Sequence, residues 1–251
     1  MTMSLPIILL VHHSNQISGA EKSLIDFLSE FYLNPNRQFE IIVGLPSGGD
    51  LGKYLVEANF KFLYFPFFRL KRKLNPIYLI FAICRVLLVT FYLCKYLRRN
   101  KVDLIHANTT TACLESLIAA KLSGIPIIGH VRDEIRPGLL RKILEKHVDC
   151  ILGVSGFVLK DFKAKNVVLY NGVRFNQSRL PHIPSYKLNS SISGNILMIG
   201  QVVPWKRHDL IIRTMAYLKP HYPQLKLMII GDDLFSEHGK YLTTLKKKSL
   251  N

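Results

Sequence analysis

Acidic residues are scarce in this chain: 17 Asp plus Glu stand against 34 Lys plus Arg, a formal net charge of +17 over 251 residues. Such an excess favours polyanionic partners, whether nucleic acid, anionic lipid headgroups or phosphorylated ligands, and charge alone does not choose among them. Cysteine is scarce too: Cys84, Cys94, Cys113 and Cys150 lie far apart, in neither CxxC nor zinc-finger spacing. A disulfide framework is thereby disfavoured, and buried free thiols in a reducing compartment are expected. Helix-turn-helix spacing, RNP aromatics and zinc ligands are missing and the cations are spread through the chain, so no nucleic-acid partner is expected. Without a Walker loop or a GxGxxG, nucleoside triphosphate and NAD binding lose support. GVSGF, Gly153 to Phe157, lacks the second glycine of GxSxG at the required place, which excludes a serine hydrolase. The opening MTMSLPIILLVHHSN has no basic n-region, and its apolar run, Leu5 to Val11, is too short for a secretory signal. It reads as a first strand.

What is present is an ordinary globular composition, 49% hydrophobic and 20% charged, enough to bury a core. Short apolar runs alternate with longer helical patterns, the rhythm of a parallel sheet covered by helices. Strands are predicted at 7–11, 39–45, 62–65, 104–107, 125–131, 150–154 and 167–169, with helices at 20–32, 51–58, 77–99, 111–122, 139–146 and 157–163 between them. Residues 1–173 thus form one doubly wound, Rossmann-like α/β domain. Residues 174–194, polar and rich in Ser and Pro, read as a linker. The α/β rhythm restarts over 195–251, with strands at 196–199 and 225–230 and helices at 208–218 and 240–250. Two strands fall short of an ordinary domain core, so this second Rossmann-like domain is expected to be incomplete.

Four stretches carry chemistry, all at predicted strand ends, where open parallel sheets bind ligands. In HHSNQISGAEKSLIDFL, residues 12–28, Ser18, Gly19 and Ala20 open a helix directly after the first strand. Its free N–H groups make an anion site; Ser18 and Glu21 also read simply as an N-cap and capping box. In GHVRDEIRPG, residues 129–138, His130 and Arg132 share one face, with Asp133 and Glu134 just beyond. The cluster can position a hydroxyl or neutralise a phosphate, or it is a solvated loop held by Arg–carboxylate pairs. In GQVVPWKRHD, residues 200–209, Lys206 and Arg207 arrive at a helix N-terminus, where cations oppose the helix dipole unless an anion sits between. A phosphate site and a solvated basic turn anchored by Trp205 remain open there. IIGDD, residues 229–233, ends a strand in a glycine and two acids and also reads as a plain turn.

SGAE after the first strand, then KVDLIHANTT, PIIGHVRD, VSGFV, VLYNGV, GQVVPWKRHD and LMIIGDD, in this order over nearly the whole chain, resembles the retaining nucleotide-sugar glycosyltransferases of the two-Rossmann-domain (GT-B) type, glycosyltransferase family 4 or group 1-like. The resemblance implies an acceptor domain first, an NDP-sugar domain second and a cleft between them. It implies a metal-free mechanism in which cations and helix amides stabilise the departing diphosphate, so that no cofactor is expected beyond the NDP-sugar co-substrate. Carried over, it places Gly19, Gln201, Lys206 and Arg207 at the donor diphosphate, Ser18, Glu21 and Asn108 on the acceptor side, and His130, Arg132 and Asp133 at the reaction centre. Gln201 stands where many members have arginine, and Arg132-Asp133 where His-Asp is frequent. The family's two donor-site glutamates, seven residues apart, have no counterpart, Glu237 being the last acid. The expectation is a C-terminally truncated glycosyltransferase of bacterial polysaccharide or lipid-linked glycan assembly with little activity alone. The alternative is a non-catalytic membrane-surface or partner-binding module derived from one.

IYLIFAICRVLLVTFYL, residues 77–93, is apolar except for Arg85 and is flanked by RLKRK and KYLRRNK. At seventeen residues with an arginine near its middle, a spanning helix is disfavoured. An interfacial helix whose basic flanks grip anionic headgroups, or a buried crossover helix of the sheet, remain. A cytoplasmic protein, peripheral at the inner face of the cytoplasmic membrane, is the expected setting.

Overall fold

The computed structural model describes residues 5–67, 75–172, 194–233 and 239–248. Residues 174–193 of the proposed linker, the RLKRK flank, Glu237 and the last residues of the predicted final helix lie outside these. The chain divides into two compact units, Met1–Asn176 and Gln177–Asn251.

The first unit is a seven-stranded, wholly parallel sheet. Its strands are β1 (Ile7–Val11), β2 (Glu40–Leu45), β3 (Phe62–Tyr64), β4 (Leu104–Ala107), β5 (Ile127–Val131), β6 (Cys150–Gly153) and β7 (Asn166–Val168), in spatial order β3-β2-β1-β4-β5-β6-β7. The helices are α1 (Gly19–Leu33), α2 (Gly49–Glu57), α3 (Pro76–Arg99), α4 (Thr110–Ser123), α5 (Leu139–His147) and α6 (Gly156–Leu159). Strand alternation divides the core in two. Leu10 of β1 packs with Leu24 and Leu28 of α1 and Leu51 and Leu55 of α2 on one face. Leu9 and Val11 join Val89 and Leu93 of α3, Ala112 and Leu117 of α4 and Leu144 of α5 on the other. Because both faces are covered, β1 reads IILLV with no polar residue.

Several predicted boundaries shift for local reasons. Strand β5 starts at Ile127 rather than residue 125, because Pro126 has no N–H to give and joins the ladder only through its carbonyl, which accepts from Ile105. Helix α6 is a single turn and does not reach residue 163: the Phe162 N–H bonds the Leu159 carbonyl in a turn, which lets Phe162 enter the core. Helix α4 matches its prediction, with Thr109 accepting the Ala112 N–H at its start and Gly124 left-handed at its end.

Helix α3 crosses from β3 to β4 and packs on α4. It is the one helix among the described residues long and apolar enough to cross a membrane, yet only 22% of its most apolar stretch is buried. It is therefore neither a fully buried crossover helix nor, being packed on α4, detached from the domain. Arg85 turns inward, its Nη2 donating to the Pro66 carbonyl at 3.2 Å. All four cysteines are free, but only Cys113 is buried, and burial pushes its thiol up to about 12. Cys84, expected inside, lies exposed on the outer face of α3.

The second unit pairs β8 (Asn195–Ile199) with β9 (Lys226–Ile230) in parallel, carrying α7 (His208–Leu218) and α8 (Gly239–Lys248). Gly231 has φ +156°, and a side chain there would run into the Gly200 carbonyl oxygen, so the two strand exits approach as closely as only glycine permits.

Candidate functional site at the strand ends

In the sheet order the direction of chain progression reverses between β1 and β4, the place where doubly wound sheets open a crevice. The first residues after β1, β4 and β5 are His12, Asn108 and Arg132. The parallel register sets Val11 beside Ala107, and the Asn108 N–H bonds the Val11 carbonyl at 2.9 Å, so these side chains emerge together.

They form one hydrogen-bond chain. The Arg132 Nε donates to the Asn108 carbonyl at 3.0 Å and its Nη2 to Asn108 Oδ1 at 2.8 Å. This leaves the Asn108 amide nitrogen facing His12 Nδ1 at 3.1 Å, and the opposite ring nitrogen, Nε2, facing Glu21 Oε1 at 2.6 Å. Donor and acceptor roles follow from the guanidinium, which only donates: Asn108 accepts through oxygen and donates through nitrogen, His12 accepts at Nδ1, and Nε2–H donates to Glu21. The chain ends on Ser18, whose N–H and hydroxyl both donate to Glu21 Oε2, at 2.9 and 2.5 Å. Burial alone would raise the Glu21 carboxyl, but the hydrogen bonds from His12 and Ser18 outweigh it and hold it at about 2. Glu21 is thus both the capping-box residue of α1 and the buried anchor of His12.

Arg132 has one further tie, Nη1 to Asn171 Oδ1 at 3.0 Å, and the Ser23 hydroxyl donates to the same oxygen at 3.1 Å. Two guanidinium hydrogens remain for a ligand. Burial lowers the Arg132 pKa, against the charges of Glu21 and Asp133. Asp133 itself is exposed, and Glu134 pairs with Lys160 at 3.3 Å.

His130 is 5% exposed, and neither of its ring nitrogens has a hydrogen-bond partner among the described residues. Its ring stacks on His106, with centroids 5.8 Å apart and planes 23° from parallel. Burial, Arg132 and His106 lower His130 to about 3, and burial and Arg132 lower His106 to about 4. Both rings are neutral at pH 7, so His130 is equipped to exchange hydrogen bonds with a hydroxyl and is a weak proton acceptor. His106, His130 and Arg132 line an open cavity of about 500 Å³, together with Ser23, Phe27 and Glu30 of α1 and with Tyr170 and Asn171. Gly19 opens α1 with open space where a side chain would begin, no atom from beyond its neighbours and its own helix backbone lying within 4 Å.

In the second unit, Gln201 follows the Gly200 exit, and Pro204–Lys206 forms a 3-10 turn ahead of α7. Here the chain supplies its own anion: Asp209, in the first turn of α7, faces Arg207 Nε at 3.5 Å and Arg213 Nη2 at 2.9 Å. Arg207 therefore needs no external phosphate to offset the helix dipole. Lys206 is exposed and has no ion pair among the described residues, and Trp205 is 65% exposed. Among the described residues no three His, Cys, Asp or Glu converge to hold a metal ion.

The sequence singled out Arg132, Asn108, Ser18 and Glu21, and the structure brings these together; His130 lines the cavity beside them. It did not single out His12, His106 or Asn171. The alternation Leu10, His12 would have pointed His12 at α1, but its meeting with Asn108 depends on the β1–β4 pairing, which joins residues 96 apart.

A doubly wound sheet with its polar cluster at the switch point defines a Rossmann-like domain. Residues 36–177 match the model of Glycosyltransferase Family 4, and the chain belongs to that family. No curated protein matches it. Among solved structures it is similar to Anabaena HepE in complex with UDP and glucose (20% identity, TM-score 0.66, over 96% of this chain and 65% of that one). It is also similar to a glycosyltransferase from Rickettsia africae (20%, TM-score 0.64, 99% and 66%) and to the lipopolysaccharide outer core galactosyltransferase WaaB (16%, TM-score 0.64, 97% and 66%). The chain spans about 65% of the length of the HepE chain.

Proposed function

We propose that the chain is the acceptor domain and the first part of the donor domain of a retaining, nucleotide-sugar-dependent glycosyltransferase of polysaccharide or lipid-linked glycan assembly. The observation that carries this reading is the Arg132–Asn108–His12–Glu21 chain beside the cavity, in a family of glycosyltransferases. The two unused hydrogens of Arg132 and the unpartnered ring of His130 bind and orient an acceptor hydroxyl. Glu21, through His12 and Asn108, fixes the guanidinium so that no reorientation is needed when charge develops. Gln201 and Lys206 take the diphosphate of the donor, Lys206 as the main cation, without a metal. Arg207 contributes less, being shared with Asp209. The free cysteines favour a cytoplasmic setting.

The test is binding of UDP-glucose, and of other nucleotide sugars in turn, to the purified chain by saturation-transfer NMR and calorimetry. Lys206→Ala is expected to weaken binding at least about tenfold, the scale of one charge-assisted contact. Failure to bind any nucleotide sugar or UDP would sink the reading. A second reading, a non-catalytic binding module, is supported by the cavity and the hydrogen-bond chain lying wholly within the first unit. Glycan binding without nucleotide-sugar binding would favour it, and robust turnover by the 251 residues alone would refute it.

A further inference from the structure

The outer face of α3 is apolar along one line and basic at the end of that same line. Ala82, Val89, Leu93 and Leu97 face inward and are buried. Opposite them, at spacings of four, three and four, run Ile80, Cys84, Leu87 and Phe91, with Ile80 65%, Leu87 59% and Phe91 62% exposed. Continuing the same period, the line reaches Lys95 and Arg98, both exposed, with Arg99 beside them. No acidic residue occurs anywhere in α3, and its one inner cation, Arg85, is turned onto the Pro66 carbonyl. The apolar part, Ile77 to Tyr92, is about 24 Å long at 1.5 Å per residue. So long an exposed apolar strip is unusual on a soluble surface and marks an interaction site.

We propose that this face docks on an anionic bilayer, lying in the plane of the headgroup–acyl boundary with Leu87 and Phe91 inserted and Lys95, Arg98 and Arg99 on the headgroups. Charge and shape together select the bilayer. A second copy would also carry +17, so two copies repel. One convex helix offers about 24 by 10 Å of contact, far below the roughly 800 Å² per partner of a stable protein interface, whereas a fluid interface adapts to it. An apolar strip followed by clustered cations is the arrangement that anionic interfaces bind. The inward turn of Arg85 removes the one charge that would oppose insertion.

Co-sedimentation of the full chain with vesicles of phosphatidylcholine alone, or enriched in phosphatidylglycerol, tests this. The wild type is expected to sediment with the anionic vesicles and to be released by salt. Leu87→Glu/Phe91→Glu, both at exposed positions, should lower the partition coefficient at least about tenfold with unchanged far-UV circular dichroism. Lys95→Gln/Arg98→Gln/Arg99→Gln should lower it about fivefold per cation on anionic vesicles and leave the neutral ones unaffected. The proposal is overturned if the wild type does not sediment with anionic vesicles, or if the Leu87/Phe91 variant sediments equally well. It is also overturned if analytical ultracentrifugation shows a dimer that this variant abolishes, which would identify a second copy as the occupant.

Discussion

Replacing Glu21 by glutamine perturbs the buried chain at its anionic end while keeping the side chain's size. In the native protein Oε1 accepts from His12 Nε2, and Oε2 accepts both the N–H and the hydroxyl of Ser18. Glutamine keeps one acceptor oxygen and presents an NH₂ to the other side. Turned to Ser18, that NH₂ meets a backbone N–H. Turned to His12, it forces the other tautomer, then a flip of Asn108, and finally sets the Asn108 NH₂ against the Arg132 guanidinium. Either way one buried donor loses its acceptor, a cost of roughly 2 kcal/mol. The displacement of the native carboxyl from 4.5 to about 2 sets an upper bound of roughly 3 kcal/mol, an upper bound because water still screens part of its field. In a domain of this size a loss of about 2 kcal/mol lowers Tm by about 4–8 °C. The sign of the acid dependence follows from the same displacement: the folded pKa is depressed, so this stability is complete above pH 4.5 and is lost as pH falls toward 2. Thermal and urea unfolding of Glu21→Gln and wild type from neutral to acid pH should therefore differ at pH 7 and converge in acid. A variant as stable as wild type at pH 7, or an unchanged difference at pH 2, would refute the tautomer chain.

Three further outcomes follow from the same geometry. Asn108→Ala and Arg132→Ala, combined in a double-mutant cycle of unfolding free energies, should couple by about 1–2 kcal/mol; additivity would show that the two side chains do not act together. His106 and His130, at about 4 and about 3 against an ordinary 6.5, should show no imidazole titration by NMR above pH 5. Since the unfolded chain binds those protons first, stability should begin to fall below pH 6.5, by up to about 1.4 kcal/mol per pH unit for each ring. Gly231→Ala places a side chain against the Gly200 carbonyl at a φ that suits only glycine, and proteolysis of the second unit should become markedly faster than in wild type.

The sheet was readable because each strand is a short apolar run at its own spacing, and a parallel sheet needs nothing subtler. Within the candidate site, local chemistry was readable and long-range pairing was not. Ser18 and Glu21 sit three apart, which made the capping box visible, whereas its second role depends on His12 at the end of another element. Arg132 stood out as a cation at a strand end, but its tie to Asn171 spans 39 residues. The turn before α7 was readable only in part, for a related reason. Arg207 adopts the left-handed φ of +58°, and its guanidinium reaches the Asp209 carboxylate two residues on, a contact the helical period does not suggest. For α3 the periodicity showed an apolar helix, but which side stays uncovered was decided by its packing on α4.

Asn171 has one carboxamide oxygen that serves two donors, Arg132 and Ser23. Withdrawing that single atom would free a guanidinium hydrogen and a hydroxyl together, at the wall of the cavity. The number of hydrogens that Arg132 can offer a ligand, two or three, is therefore set by the course of the backbone at Asn171 as much as by the arginine itself.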